Sequence, residues 1–277
     1  MTILLVILII GVIVYWKIPY SIHKKIFLDS MEKRLIHTKM TSAVCSSEEI
    51  DKLPEAMQRF CKYVGLEGTK KINAVRATFK NTKFIFDDQK EKVLDMNYDL
   101  WLFATPWYRS AFCMATMYGI PFEGQDYCTD NGTGGMKGYL GRSIKIFETC
   151  DTETYRAGLI SWMVEGIILS PSFILSPYLK FEEMDRSHVK ATITYNGITG
   201  TGIFTIAQDG AMTEFYSDER QIEMINGVKS RIGWRCEIDQ YEMVDHLKIP
   251  QSVRSIKVYP DKEVVYFDAS EIDIIYY

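Results

Sequence analysis

From residue 71 to the C-terminus, apolar and polar residues alternate in short runs that are separated by turn signals. One run places Val75, Ala77 and Phe79 between polar residues, and similar runs begin at residues 189, 232 and 272. A period of two residues is typical of antiparallel strands that are buried on one face. The pattern therefore predicts a mainly β (α+β) chain whose antiparallel sheet has about ten or eleven strands. The predicted turns lie at residues 130–132, 196–197, 209–210, 226–227 and 260–261.

One apolar segment interrupts this alternation. Asp151 precedes a predicted helix over residues 153–169, and Glu165 is the only charged residue between positions 158 and 179. A helix that is apolar on nearly every side is buried, so we expect the sheet to curve around it as a half-barrel. A carboxylate in such a helix needs a partner or takes up a proton. Arg109 and Arg142 are the candidate partners, and a structural ion pair, a ligand contact and catalysis all remain open for Glu165.

The N-terminus begins with an uncharged apolar run over residues 2–16. As a helix this run is about 23 Å long, and about 27 Å with its neighbours if Lys17 extends to the interface, against ~30 Å for the hydrocarbon core. A cleaved signal peptide and a buried core helix are the alternatives. A signal peptide has basic residues before its apolar region and a small-residue cleavage site. No basic residue precedes this run, and the first alanine is Ala43, so we predict an uncleaved transmembrane anchor.

Charge is distributed unevenly along the chain. Residues 1–40 contain six Lys and Arg against two Asp and Glu, whereas the remainder contains 26 against 34. The acidic body argues against nucleic acid as a partner. The basic residues follow the anchor, so the positive-inside rule predicts a single-pass protein of the cell membrane whose body faces the cytoplasm. The predicted divisions are an anchor over 1–19, a basic amphipathic juxtamembrane segment over 20–49, and the half-barrel domain over 50–277.

Residues 20–40 mix apolar and basic side chains at helical spacing. Two interpretations are open: this helix lies on anionic lipid headgroups, or it is a solvated continuation of the anchor. Before the sheet, residues 46–49 form a capping box, and Pro54 and Gly65 bound a short amphipathic helix.

The sequence contains no recognisable catalytic or metal-binding motif. Six cysteines and four histidines show no metal-ligand spacing, and a G-x-S-x-G elbow is absent. The glycine-rich residues 130–135 lack the GK[ST] of a phosphate-binding loop, so we interpret them as a hairpin turn. We predict no metal, no cofactor, no catalytic residue and free cysteines.

The densest aromatic and methionine segment lies between residues 101 and 127. Much of it must form core, but a curved sheet with one helix would still leave an apolar concavity, and such cavities bind apolar ligands. We expect Glu165 or Arg109 at a polar end of this site. The candidate apolar wall residues are Trp107, Tyr118, Phe122, Trp162 and Phe173.

Several segments carry a resemblance to a known family. Residues 53–65, Trp107-Tyr108-Arg109, residues 124–138 and the helix over 159–171 resemble, in order, segments of an uncharacterised bacterial family of membrane-anchored domains related to the LolA/LolB lipoprotein carriers. Residues 202–220 and 241–250 are similar to its C-terminal strands. The resemblance implies a half-barrel around a helix with a hydrophobic cavity, and it places Glu165 on the family's glutamate. LolA-like carriers act outside the cytoplasm, which is the alternative location for the body. Residues 167–170 depart from the family, which has Trp-Phe-Pro there.

These observations favour a membrane-anchored, non-catalytic protein that binds a lipid or another apolar ligand. The alternative is a structural or interaction module at the membrane, with the barrel filled by its own helix. An enzyme that acts on an apolar substrate is the third hypothesis. The expected partners are the bilayer and an apolar ligand, and the sequence indicates no particular protein partner.

Overall fold

The computed structural model describes residues 2–18, 20–39, 41–86, 93–223 and 229–277. Its helices are α1 (Thr2–Lys17), α2 (Ile22–His37), α3 (Ser47–Ile50), α4 (Glu55–Val64) and α5 (Thr152–Leu169), and a 3-10 helix covers Pro171–Leu175. The first six strands are β1 (Ala74–Ile85), β2 (Val93–Phe103), β3 (Tyr108–Met117), β4 (Ile120–Cys128), β5 (Gly134–Leu140) and β6 (Ile144–Asp151). The others are β7 (Leu179–Glu183), β8 (His188–Tyr195), β9 (Ile198–Ile206), β10 (Met212–Glu223), β11 (Lys229–Val244), β12 (Leu247–Val258), β13 (Glu263–Ala269) and β14 (Ile272–Tyr276).

All the strands of the described residues belong to one antiparallel sheet. Its order is β6-β5-β4-β3-β2-β1-β13-β12-β11-β10-β9-β8-β7, and β14 pairs with β1 beside β13. The prediction of a mainly antiparallel sheet is confirmed. The count of ten or eleven strands is wrong, because the described residues form fourteen. Strand β5, with the sequence GGMKGYL, and the edge strand β6 lack a regular apolar face, so alternation does not mark them as strands.

The sheet curves around α5. The helix packs against β5 and β6 on one flank and against β8, β9 and β10 on the other. Asp151 caps its first turn by accepting a hydrogen bond from the Thr154 amide at 2.7 Å. Gly134 allows the close approach, because a Cβ atom there would lie 2.5 Å from the Tyr155 backbone nitrogen. The predicted half-barrel with a central apolar helix is confirmed.

Strand pairing defines the two faces of the sheet. On β3, Arg109 points towards α5, where it bonds to Glu165, so the alternate residues Tyr108 and Phe112 belong to the outer, convex face. We use the term concave face for the side that carries α5. Near one end of α5, the Tyr276 hydroxyl on the concave face of β14 donates to the Leu169 carbonyl at 2.9 Å. These contacts connect α5 to β3 and β14, between its two flanks.

The convex face carries α2. The His23 ring stacks on Tyr139 of β5 at 3.8 Å, and Phe27 packs on Phe112 at 5.5 Å between ring centroids. The guanidinium of Arg34 lies 3.6 Å above the Tyr108 ring centroid. The amphipathic helix predicted for residues 20–40 therefore forms, but its apolar side, including Phe27 and Met31, is buried against the protein's own sheet. Neither interpretation of this segment from the sequence included that packing.

No residue of α1 is buried, in contrast to a core helix. Taken together, the N-terminal helical residues 2–37 have the length and composition of a membrane-spanning segment, and a signal sequence meets the same criteria. The short helices match their predicted boundaries: Ser46 and Glu49 form the capping box, and Gly65 ends α4 with a left-handed backbone at φ 77°. The turns at residues 130–132, 196–197, 209–210 and 260–261 connect strands as predicted. The turn predicted at residues 226–227 lies outside the described residues.

Candidate ligand site on the concave face

An ion pair joins the sheet to the centre of α5. Arg109 of β3 donates from Nε to Glu165 Oε2 at 2.7 Å and from Nη2 to Glu165 Oε1 at 2.9 Å. The geometry is bidentate, the arrangement that a planar guanidinium and a carboxylate favour. The side chains of Arg109 and Glu165 are 8% and 22% exposed, so the pair is largely buried but still in contact with solvent. Arg109 is therefore the partner of Glu165. Arg142, the other candidate, lies near Glu123 at 3.6 Å.

Two further groups complete a polar cluster around Arg109. Its Nη2 donates to the Tyr98 hydroxyl at 3.0 Å, and its Nη1 lies 3.6 Å from Asp126 Oδ2. Burial raises the pKa of Asp126 above its ordinary value, although the nearby Arg109 opposes that shift. Burial also raises the pKa of Tyr98 well above 10, which keeps its hydroxyl protonated. We call Tyr98, Arg109, Asp126 and Glu165 the polar cluster.

The concave face next to the polar cluster is not fully covered by α5. Asp126 pairs with Met136 across β4 and β5, so both side chains lie on this face. The Met136 side chain is exposed, at 43% of the residue's surface, and the Asp126 side chain is 38% exposed. Cys113, also on this face, is half-buried. An apolar side chain and a carboxylate are thus partly exposed on the concave face beside a buried cation.

Three phenylalanines meet at the far end of the same face. Phe86, just beyond β1, contacts Phe122 of β4 at 5.5 Å and Phe147 of β6 at 6.2 Å between ring centroids. Phe122 and Phe147 lie on the concave face, because they pair with Leu140 and Gly138 of β5. The contact spans strands that are not neighbours in the sheet, so the three rings narrow the concavity at this end.

The other predicted wall residues have different environments. Trp107 packs edge-to-face on Trp162 at 6.4 Å, Trp162 stacks on Phe173 at 5.2 Å between ring centroids, and each ring is at most 2% exposed. The Trp162 indole also donates to the Phe103 carbonyl at 3.1 Å. These three rings fill the barrel where α5 lies and offer no open surface in this structure. Tyr118 lies in the turn between β3 and β4 and is 70% exposed. Of the five, Phe122 lies on the concave face away from α5, but at 4% exposed and in contact with Phe86 it is buried as well.

The sequence analysis did not single out Tyr98, Asp126 or Met136. Their strands alternate or carry glycine, and it takes the pairing of β2 with β3, of β3 with β4 and of β4 with β5 to show that these residues share a face with Arg109. On the opposite flank, the guanidinium of Arg220 lies 4.2 Å above the Trp234 ring centroid. A signal was present for Asp126, since it is an acidic residue inside the segment that resembles the family's hairpin.

The cysteines do not form a reactive or metal-binding centre in the described part of the chain. All six are free thiols, as the sequence predicted. Burial raises the pKa of Cys113 and of Cys128 to about 12, so neither is a thiolate near neutral pH. Within residues 2–18, 20–39, 41–86, 93–223 and 229–277, no group of three His, Cys, Asp or Glu side chains is arranged to hold a metal ion.

A separate surface groove of about 200 Å³ lies between the α3–α4 connection, the 3-10 helix and β7. Its carboxylate, Glu49, pairs with Lys71 and closes the capping box of α3. These bonds give Glu49 a structural role, and the remaining lining includes Lys52, Ser176 and the apolar side chains of Leu53, Ile174 and Leu179. We therefore place the candidate site on the concave face and not in this groove.

The fold and the polar cluster define a class of protein: an antiparallel half-barrel with a central helix, an ion pair between helix and sheet, and an incompletely covered concave face. The chain belongs to the family of unknown function DUF6544, whose model matches residues 43–269. The predicted membership of an uncharacterised family is confirmed. No curated protein matches the chain.

Solved structures with a similar architecture include members of the LolA group. A domain from Vibrio parahaemolyticus named for outer membrane lipoprotein sorting is 10% identical, with a TM-score of 0.39 over 82% of this chain and 93% of its own. A LolA superfamily protein from Nitrosomonas europaea is 7% identical, with a TM-score of 0.37 over 84% and 92%. A DUF1329 family protein from Desulfovibrio piger is 11% identical, with a TM-score of 0.39 over 84% and 92%. At these identities the likeness concerns the fold alone.

Proposed function

We propose that this chain is a membrane-anchored, non-catalytic protein that binds a lipid or another apolar ligand on its concave face. The observation that carries the proposal is the exposure of Met136 and Asp126 beside the buried Arg109–Glu165 pair. The ligand's apolar part would lie along the uncovered strands between the polar cluster and the phenylalanines at the far end. Its polar end would meet Arg109 Nη1, which takes no part in the bidentate bond with Glu165 and lies 3.6 Å from Asp126 Oδ2.

Apolar burial supplies enough free energy for useful affinity without a covalent step. At about 25 cal/mol per Å², a ligand that buries roughly 400 Å² of apolar surface gains on the order of 10 kcal/mol before the costs of association. The polar cluster is suited to binding a headgroup. An activated nucleophile needs a neighbouring base, and two thiols near the cluster, Cys113 and Cys128, are protonated near neutral pH because burial raises their pKa to about 12.

The packed rings of Trp107, Trp162 and Phe173 favour one other function. They show that part of the barrel is filled by the protein itself, as an interaction module at the membrane would require. The two proposals differ in the half of the concave face that α5 leaves uncovered. A ligand-binding protein binds apolar molecules there, whereas an interaction module does not.

Photo-crosslinking separates these proposals. The full chain in lipid nanodiscs is illuminated with a fatty acid that carries a diazirine and an alkyne, and the adduct is quantified and mapped by peptide mass spectrometry. We expect saturable labelling of concave-face peptides. Met136→Lys places a charge on this face and should weaken labelling roughly tenfold, equivalent to about 1.4 kcal/mol. The matched control is Met184→Lys, the same change at a methionine that is 56% exposed beyond β7. Non-saturable labelling, or equal loss in both variants, contradicts ligand binding.

We further propose that α1 is an uncleaved anchor and that the body faces the cytoplasm, as the basic residues after α1 suggest. N-terminal sequencing of the membrane-extracted protein tests the first point, and a mature chain that starts beyond residue 17 contradicts it. For the second, Cys150, the exposed thiol, is replaced by serine and Met184 by cysteine. We expect an impermeant maleimide to label this cysteine only after the cells are permeabilised. Labelling of intact cells would place the body outside the cytoplasm.

A further inference from the structure

The C-terminal end of α1 contacts the turn between β5 and β6. The Trp16 indole lies against Gly141, where a Cβ atom would come within 3.1 Å of Trp16 Nε1. The Tyr15 hydroxyl is 3.4 Å from the Ser143 hydroxyl. Both contacts involve the turn between β5 and β6, so the anchor leaves the body at this turn.

Arg142 strengthens the same connection. Its Nη1 donates to the carbonyl oxygens of Ile18 at 2.5 Å and Tyr20 at 2.7 Å, and its Nε lies 3.6 Å from the buried Glu123 carboxylate on β4. Arg142 thus connects the α1–α2 junction both to the β5–β6 turn and to β4. Because α2 then packs along the convex face, the body has a defined orientation relative to α1.

The turn that contacts α1 lies at an end of the sheet that has exposed apolar side chains. Strands β1 to β6 follow one another in the sheet, so the β1–β2, β3–β4 and β5–β6 connections lie at the same end of these strands. Tyr118 and Ile144 are 70% and 64% exposed there. We call the exposed apolar residues at this end of the strands the hairpin rim: Phe86, Val93, Tyr118, Ile144 and Ile146.

We propose that the hairpin rim contacts the same bilayer that α1 enters, which places the far end of the concave face at the membrane surface. The contact positions of α1 support this: Tyr15 and Trp16 are the aromatic types that occupy the membrane–water interface, and they lie on the β5–β6 turn. Apolar side chains at that level gain free energy by entering the headgroup–acyl boundary. Phe86 connects the rim with Phe122 of the concave face, so an apolar ligand would pass between bilayer and barrel without crossing water.

This inference rests on the anchor part of the proposed function and is independent of ligand binding. The test measures the depth of nitroxide labels on the full chain in liposomes. Single cysteines are introduced as Ile144→Cys and Tyr118→Cys in the rim, Ile10→Cys in the middle of α1, and Met184→Cys as the aqueous control. All carry Cys150→Ser, and the chain with that change alone provides the background signal. Power saturation compares collisions with oxygen, which concentrates in lipid, and with a water-soluble nickel chelate.

We expect the oxygen-to-nickel ratio of both rim labels to shift from the value of the Met184→Cys label towards that of the Ile10→Cys label. If the Ile10→Cys label is in lipid while the rim labels match the Met184→Cys label, the rim proposal is overturned and the anchor stands. If the Ile10→Cys label is itself aqueous, the anchor and the rim contact both fail. Dipolar broadening between rim labels that disappears on dilution with unlabelled chain would identify a second copy as the occupant and overturn the bilayer contact.

Discussion

Replacing Arg109 by methionine should destabilise the body strongly, because it leaves the Glu165 carboxylate inside the barrel without its bidentate partner. The change removes two charge-assisted bonds of 2.7 Å and 2.9 Å and a third to the Tyr98 hydroxyl. Removing one member of a buried ion pair costs about 3–5 kcal/mol. Because the Glu165 side chain keeps 22% exposure, water stabilises the remaining charge in part, and we expect a loss of about 3 kcal/mol.

Two companion variants separate the charge from the packing. Glu165→Gln keeps one acceptor for Arg109 and leaves Arg109 beside Asp126, so it should cost only about 1–2 kcal/mol. Arg109→Met combined with Glu165→Leu removes both charges, and its loss should be smaller than the sum of the two single losses, Arg109→Met and Glu165→Leu. The assay is urea unfolding of the full chain in mild detergent, followed by tryptophan fluorescence, with the midpoint and slope both fitted.

The loss in Arg109→Met should also depend on pH. Burial and the neighbouring Glu165 raise the folded-state pKa of Asp126, and Arg109 opposes that shift, so without the guanidinium this pKa rises further above the unfolded value of about 3.9. The folded state then binds more protons than the unfolded state, so stability falls as pH rises through that interval. We therefore expect the loss in free energy of unfolding of Arg109→Met to be largest at pH 8 and to decrease towards pH 5. A loss under about 1 kcal/mol, or strictly additive single losses of Arg109→Met and Glu165→Leu, would refute a coupled, shielded pair.

Three further changes test other parts of the structure by the same unfolding assay. Asp126→Asn should stabilise the protein at pH 8, because burial raises the folded-state pKa of Asp126. The gain in free energy of unfolding should vanish as pH falls towards about 3.9, the unfolded value, and the absence of any gain at pH 8 contradicts the raised pKa. Phe27→Ala should cost about 3 kcal/mol, against less than about 0.5 kcal/mol for the exposed Ile26→Ala; equal losses would mean that α2 is not packed. Gly134→Ala should cost about 2 kcal/mol, because its Cβ would meet the Tyr155 backbone; an unchanged midpoint contradicts that close approach.

The central helix and the type of sheet were predictable because each depends on local signals. Asp151 caps a long apolar run, and strands such as β8 alternate without interruption. Strand β5 was not predictable from alternation, since its glycines lower the intrinsic preference for a strand. Their reason lies elsewhere in the chain: at Gly134 the backbone of α5 occupies the space that a side chain would need.

The polar cluster was predictable only in part. Burial of Glu165 in an apolar helix required a cation, and the sequence reduced the choice to Arg109 or Arg142. The register of β3 against its neighbours decided between them, and register is set by long-range pairing. The same limit applies to the wall residues. Aromatic composition located the right region, but it did not indicate that Trp107 and Trp162 pack on each other while the less conspicuous Met136 remains exposed.

The burial of α2 against the convex face has a practical consequence for obtaining the body in soluble form. Cutting the chain where the family match begins, at residue 43, would remove α2 and uncover Tyr108 and Phe112, which Arg34 and Phe27 now cover. Bare aromatic patches of that kind promote aggregation. A chain that starts at residue 20 discards the membrane helix and retains the cover. We expect it to be more soluble than a chain that starts at residue 43, because it keeps α2, which the family match excludes.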